Sequence, residues 1–346
     1  MGAPFHLMEL PTRILIGDGV LKKLGSFVEE SGVRPKVVVA AGINVQRKVR
    51  TAVSRAFTGS AAWVDVDAAD LANVARVIKA SKNSSAVVGV GGGKSVDVAK
   101  LAAFKRGLPF FSVPTSASHD GIASPFASIK GLDRPYSFMA KPPLGILADV
   151  RVIASAPRSL FASGCGDLVS KITAVKDWQL AHEVMGEYYG SYAANLALMS
   201  ASVVIEGSAR FKTFTKEYVR DLVEALISAG VAAGIAGSSR PCSGAEHLFS
   251  HYLDVIAPGA GMHGEKCGIG TIMMAKLHGL EWRGVRRALR DSGAPTAASQ
   301  IGVPRRRVVE ALVKASSIRP DRYTILSKVR LDSAAAEELA ESTQVI

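Results

Sequence analysis

A change of period partway along the chain narrows the possible folds more than any other feature. From Arg13 to about Ile153, short β-rich apolar runs alternate with stretches whose apolar residues recur at helical spacing, and after Pro157 the β-rich runs stop. Such alternation specifies a parallel sheet flanked by helices, because a parallel neighbour is reached only through a crossover. The expected strands are Lys36–Ala41, Ala62–Val66, Ala86–Val90, Pro109–Val113 and Gly145–Ala148, with helices over Leu71–Ser81 and Ser95–Lys105, the second ended by Gly107 and Pro109. Beyond the switch, Ser159–Ala181, Glu187–Gly207, Thr215–Ala236, Gly244–Ile256 and Gly268–Leu280 read as helices. The expectation is an α/β parallel-sheet domain over 1–152 and an all-helical domain over 153–346.

Bulk properties bound the function classes. With 346 residues, 48% of them apolar, each domain has enough material for a core. Cys165, Cys242 and Cys267 are too sparse and too widely spaced for a disulfide framework or a CxxC metal site, which points to a reducing compartment. Met1 to Gly19 lacks the basic, apolar and small-residue order of a signal peptide, and the most apolar windows carry Asn195 and Glu224 and are shorter than a membrane span. A cytoplasmic protein is expected. The formal net charge of +12 raises nucleic acid as a partner. Its clusters, Arg283–Arg290 and Arg305–Arg307, fall where apolar residues recur at helical spacing, so they read as solvated faces of amphipathic helices. No zinc-finger spacing or aromatic RNP-like run accompanies them, whereas a basic surface does steer small anions. Only four Asn and four Gln occur, a depletion that leans towards a heat-adapted source.

Three segments carry chemistry. Ala86–Val90 runs into Gly91-Gly92-Gly93 and then Lys94-Ser95-Val96-Asp97, a buried strand, a glycine turn and a helix start. Glycines admit close approach of a pyrophosphate, and free N–H groups at the helix start stabilise its charge. The spacing is neither GxGxxG nor a P-loop, and a tight turn that holds nothing is the alternative. Next, the hydroxyl-rich Thr115-Ser116-Ala117-Ser118-His119-Asp120-Gly121-Ile122-Ala123-Ser124 follows the carboxyl end of a strand, where ligands of open α/β sheets bind; an ordinary polar loop is the alternative. Third, Asp167 in Gly164-Cys165-Gly166-Asp167, His247 and His251 four apart, and His263 past the Pro258-Gly259 turn form a metal-capable set. One carboxylate and two imidazoles suit zinc, although Asp167 is equally a helix cap and the helix histidines equally core residues.

Together these segments, with Leu15-Ile16-Gly17-Asp18-Gly19-Val20, Gly244-Ala245-Glu246-His247 and His263-Gly264-Glu265, resemble the sn-glycerol-1-phosphate dehydrogenase family. The run Ser118-His119-Asp120-Gly121-Ile122-Ala123-Ser124-Pro125 is the most specific part. The wider superfamily also holds glycerol dehydrogenase, iron-dependent alcohol dehydrogenases and dehydroquinate synthase. The resemblance covers nearly the whole chain. It implies a dehydroquinate synthase-like architecture, a Rossmann-like nucleotide-binding domain followed by a helical metal- and substrate-binding domain. Carried over, Gly93, Lys94, Ser95, Val96, Asp97, Thr115, Ser116, Ala117, Ser118 and Ser124 bind NAD(H) or NADP(H). Asp120, Asp167 and His251 touch substrate, and Asp167, His247 and His263 hold zinc.

The implied reaction is reduction of dihydroxyacetone phosphate to sn-glycerol 1-phosphate for archaeal membrane phospholipids, in a homo-oligomer. A Lewis-acid metal polarises the C2 carbonyl, and His251 positions the substrate or relays the proton that follows hydride, a proton that a metal-bound water could supply instead. The competing enzyme reading is a glycerol dehydrogenase-like oxidoreductase of an uncharged polyol. Where the iron-dependent branch supplies a further histidine, one turn after Asp167, this chain has Lys171, and three ligands with an open position favour zinc. The strand ending at Ala41 carries no acid to repel a 2′-phosphate, so both cofactors are expected to be accepted, unless Asp65 or Asp67 reaches the ribose.

Overall fold

The structure, a computed structural model, describes residues 6–58, 61–130 and 136–346, so the reading of residues 1–19 falls partly outside it. The described chain divides into two compact units, Glu9–Ala156 and Pro157–Ile346, with residues 6–8 joining the second.

The first unit holds strands β1 (Arg13–Gly17), β2 (Val37–Ala41), β3 (Ala62–Asp65), β4 (Ala86–Gly91), β5 (Phe110–Pro114), β6 (Phe126–Ile129), β7 (Tyr136–Met139) and β8 (Gly145–Asp149). Its helices are α1 (Leu24–Glu29), α2 (Ile43–Ala56), α3 (Leu71–Ala80), α4 (Gly93–Arg106) and α5 (Val150–Ala154). Six strands form a parallel sheet in the order β1-β8-β5-β4-β2-β3, and β6 and β7 pair as an antiparallel ribbon. The central strands β2, β4, β5 and β8 are buried throughout, which is why they read as continuous apolar runs. Alternate side chains serve two cores. Val37, Val39, Val88 and Val90 pack with Phe27, Val53 and Phe57 on one face, while Val38, Ala40 and Val87 pack with Val74, Val77, Val98 and Leu101 on the other. The strand-by-strand expectation missed β1, β6 and β7. β1 is an edge strand whose Ile14 is exposed, and β6 and β7 lie outside the main sheet, so none shows the continuous buried pattern.

The second unit is helical: α6 (Arg158–Val169), α7 (Lys171–Met185), α8 (Ser191–Gly207), α9 (Lys216–Ala236), α10 (Ala245–Ile256), α11 (His263–Leu277), α12 (Trp282–Asp291), α13 (Arg305–Lys314), α14 (Ile325–Val329) and α15 (Ser333–Ser342). Two expectations are corrected. The stretch expected as one helix over 159–181 divides at Ser170, whose hydroxyl donates to the Asp167 carbonyl at 2.5 Å. Such back-bonding competes with the helix's own hydrogen bonds, and the break comes three residues after Asp167. The helix expected from Gly268 begins at His263, because Glu265 folds back to accept from the Met262 N–H at 2.7 Å and caps the first turn. The basic clusters are helix faces: α12 buries Val285, Ala288 and Leu289 and exposes Arg283, Arg287 and Arg290, while Arg305 pairs with Glu337 and Glu341. Among the described residues, no helix is long and apolar enough to cross a membrane.

Candidate metal centre and dinucleotide turn

The metal-capable residues of the helical unit are assembled by glycine. A Cβ on Gly166 would lie 2.1 Å from the Gly264 carbonyl oxygen, and one on Gly264 would lie 1.8 Å from the Ser163 carbonyl oxygen. α6 and α11 therefore meet backbone to backbone, a closeness that only glycine permits. On α11's other side, a Cβ on Gly270 would sit 3.2 Å from the Cα of Glu246, so α10 packs almost as tightly. These seams bring together side chains from three helices.

At the junction the Asp167 carboxylate, 1% exposed, has its Oδ1 3.6 Å from His247 Nε2 and 3.8 Å from His263 Nε2. Oxygen and nitrogen ligands of one tetrahedral zinc stand roughly 3.3 Å apart, so small side-chain adjustments close the set around an ion. Glu246 Oε1 lies 2.9 Å from His247 Nδ1; the imidazole donates there, which makes Nε2 the nitrogen that a cation would take in place of a proton. Glu246 is fixed in turn, accepting from Thr173 Oγ1 at 2.8 Å and from the Gly244 N–H at 2.6 Å.

The electrostatics attract positive charge. Burial works against the Asp167 carboxylate, but Lys171, followed by His247 and His263, holds it well below its ordinary range. Burial likewise disfavours the His247 imidazolium, yet Cys267 and Asp167 raise it well above its ordinary value. From sequence, Lys171 is notable only for replacing a histidine. In the structure it is fully buried, its Nζ 3.2 Å from Asp167 Oδ1 and 3.3 Å from the Cys242 carbonyl oxygen.

His251 belongs to the same cluster, its ring stacked 5.8 Å from that of His263. Its Nδ1 is buried with no hydrogen-bond partner among the described residues, and burial, then His247, push the imidazole down to about 3. Cys267, one turn after His263, also lies here, and a donor atom from each of His247, His263 and Cys267 falls within 4.8 Å of the others. Sequence reasoning tested the cysteines only against one another and missed it; the available signal was its four-residue spacing from His263.

The α/β unit holds the other candidate residues. β4 ends at Gly91, whose φ of +149° disfavours a side chain, and α4 starts at Gly93. A Cβ on Gly93 would fall 1.9 Å from His119 Nε2, so the Nε2 edge of the imidazole abuts the helix start. The Gly121 N–H donates to His119 Nδ1 at 2.9 Å and holds that ring in place. Ser116 Oγ is buried without a hydrogen-bond partner among the described residues and would touch a Cβ on Gly92 at 3.1 Å. An orphan hydroxyl beside uncapped helix-start amides is what a phosphate-binding turn requires.

Several expected cofactor residues hold the turn together. Ser95 Oγ accepts from the Gly42 N–H at 3.2 Å, Lys94 Nζ donates to the Asp67 carbonyl at 2.8 Å, and the Val96 side chain is buried in the core. Asp97 accepts from the Ser128 N–H at 3.2 Å and pairs at 3.4 Å with Lys100, a buried cation that also donates to the Gly121 and Phe126 carbonyls. That lysine ties α4 to the segment carrying Asp120 and Ser124, and sequence reading did not single it out. Thr115 is joined to Gly91 through its backbone N–H at 3.0 Å, and Ala117 and Ser118 follow as buried residues. At the end of β2, Ala41 stands in register with Asp65 of β3.

The sequence pattern described as iron-containing alcohol dehydrogenase matches residues 15–157. Among solved structures, glycerol dehydrogenase from Schizosaccharomyces pombe superposes with a TM-score of 0.80 at 19% identity, covering 99% of this chain and 91% of that one, which establishes the shared fold. Glycerol-1-phosphate dehydrogenase (NAD(P)+) of Cenarchaeum symbiosum is 54% identical over 99% of this chain and 98% of its own. The enzyme of the same name from Nitrosopumilus maritimus is 49% identical over 99% of this chain and 97% of its own. The chain belongs to the glycerol-1-phosphate dehydrogenase family.

Proposed function

We propose that this protein is an oxidoreductase that reversibly reduces dihydroxyacetone phosphate to sn-glycerol 1-phosphate with NADH or NADPH, supplying the glycerophosphate backbone of archaeal membrane phospholipids. It works in the cytoplasm as a homo-oligomer with one zinc ion per subunit. The name borne by relatives up to 54% identical supports the reaction and the cofactor, whereas the glycerol dehydrogenase neighbour stands at 19%, which favours the phosphorylated substrate.

The observation that carries the site is the buried Asp167 carboxylate flanked by two imidazole nitrogens at 3.6 and 3.8 Å. Asp167, His247 and His263 would hold the ion, and one carboxylate with two imidazoles favours zinc. A divalent ion bound there supplies Lewis-acid polarisation of a carbonyl. Glu246 keeps the His247 lone pair aimed, and Lys171 offsets part of the carboxylate charge. The unpartnered Nδ1 of His251 offers a hydrogen bond to the substrate and a place on the path of the proton that must follow hydride. Asp120 orients a substrate hydroxyl. The α4 amides and the 115–118 segment take the dinucleotide phosphates.

Turnover of dihydroxyacetone phosphate with each cofactor, before and after chelation and with chiral analysis of the product, tests this. The expected product is sn-glycerol 1-phosphate, with turnover lost on chelation and restored by zinc. Oxidation of glycerol without turnover of the phosphorylated ketose overturns the substrate, and undiminished turnover after complete metal removal overturns the metal.

A further inference from the structure

The buried Cys267 has no role in the site as proposed above. It sits on α11, four residues after His263, so both side chains leave the same face of the helix. Its Sγ is 3.7 Å from His263 Nε2, and one donor atom from each of Cys267, His263 and His247 lies within 4.8 Å of the others. A sulfur and a nitrogen bound to one tetrahedral zinc, at about 2.3 and 2.0–2.1 Å from the metal, stand roughly 3.6 Å apart. The observed separation is close to that figure.

The other two cysteines differ. Cys242 Sγ donates to the Ala229 carbonyl oxygen at 3.1 Å, and burial pushes the Cys165 thiol up to about 12 in a site whose polar neighbour is Ser292.

We propose that Cys267 is a metal ligand of this protein, its thiolate binding the same ion as the imidazoles of His247 and His263. The inference rests on the metal reading of this cluster and adds a soft sulfur donor to a set that otherwise holds only oxygen and nitrogen. Binding exchanges the S–H bond for a sulfur–metal bond and releases the proton to solvent, with no change of oxidation state. A thiolate selects zinc or cobalt(II) over magnesium or manganese, whose preferred partners are oxygens. Zinc also accommodates a fifth ligand, so a further protein donor does not close the site.

The test is spectroscopic. Metal-stripped protein reloaded with cobalt(II) should show a thiolate-to-cobalt charge-transfer band in the near ultraviolet. The band should vanish in Cys267→Ser and persist in Cys165→Ser and Cys242→Ser. X-ray absorption of the zinc-loaded, unmutated protein should show a sulfur scatterer at about 2.3 Å beside nitrogen and oxygen at about 2.0 Å. Zinc affinity of Cys267→Ser should fall by at least the roughly 10- to 100-fold that loss of an outer hydrogen-bonding partner costs. Bound metal with a purely nitrogen and oxygen shell, or a charge-transfer band that survives Cys267→Ser, overturns the ligand role and leaves Asp167, His247 and His263 standing. A protein that takes up neither metal overturns both. The X-ray measurement needs no variant, so a folding defect in Cys267→Ser does not shield the proposal.

Discussion

In the α/β unit, Gly91, Gly92 and Gly93 are consecutive and open a helix; in the helical unit, Gly166 and Gly264 are far apart in sequence and join two helices. The obstacle each glycine avoids also differs. A side chain on Gly93 would meet the His119 imidazole, which has rotamers to escape into, whereas one on Gly166 would meet the Gly264 carbonyl, which has none. A local turn is therefore a motif that tolerates adjustment, and a helix seam is a contact that does not.

The sharpest way to break this contrast is Gly166→Ala. The added methyl must displace α11, so a loss of about 3 kcal/mol or more is expected together with loss of bound metal. Urea denaturation and metal analysis measure both, and a variant of unchanged midpoint and full metal content would show that the seam can relax. Glu246→Gln acts on the same unit without touching the contact between α6 and α11. It leaves the His247 ring its packing but weakens the bond that orients it, so metal affinity should drop by roughly 10- to 100-fold. Competition with a chelator reads this, and an unchanged affinity would reduce Glu246 to a structural residue.

In the α/β unit, Asp120→Ala should lower turnover by about tenfold or more, about 1.4 kcal/mol, while NADH binding stays within about twofold. Equal losses in fluorescence titration and in kinetics would remove Asp120 from the substrate. Gly93→Ala should weaken NADH binding by about tenfold while changing thermal stability far less than Gly166→Ala does. If the two glycine variants destabilise equally, the distinction between turn and seam is wrong. The smallest effect expected is on cofactor choice. NADH and NADPH should differ little in kcat/KM, because β2 ends at Ala41 with no carboxylate of its own. A preference for NADH above about a hundredfold, roughly 2.7 kcal/mol, would show that a carboxylate, Asp65 in register with Ala41 or Asp67 two residues on, repels the 2′-phosphate.

The same contrast explains what could be read from residues alone. β2, β4, β5 and β8 announce themselves because burial on both faces demands unbroken apolar runs, and the glycine turn does so because its parts are adjacent. Exposed Ile14 in β1 and the β6–β7 ribbon outside the sheet give no such pattern. Asp167, His247 and His263 stand out as metal-capable by residue type and spacing, family resemblance gives them the ligand role, and the structure brings them around one carboxylate oxygen. Cys267 and Lys171 escaped because their meaning is spatial. The thiol becomes a neighbour of His263 only once α11 is known to begin there, and the lysine becomes a counter-charge only once it is seen to be buried.

The contact between α6 and α11 also has a thermal consequence. Where two main chains touch, no rotamer can hop, so the spacing of the backbones that carry Asp167 and His263 is set by backbone dihedrals alone. Warming the protein cannot widen that backbone spacing gradually through side-chain motion. The gap opens when a helix unwinds or slides, which is a cooperative event. Release of the ion and melting of the helical unit should therefore fall at the same temperature.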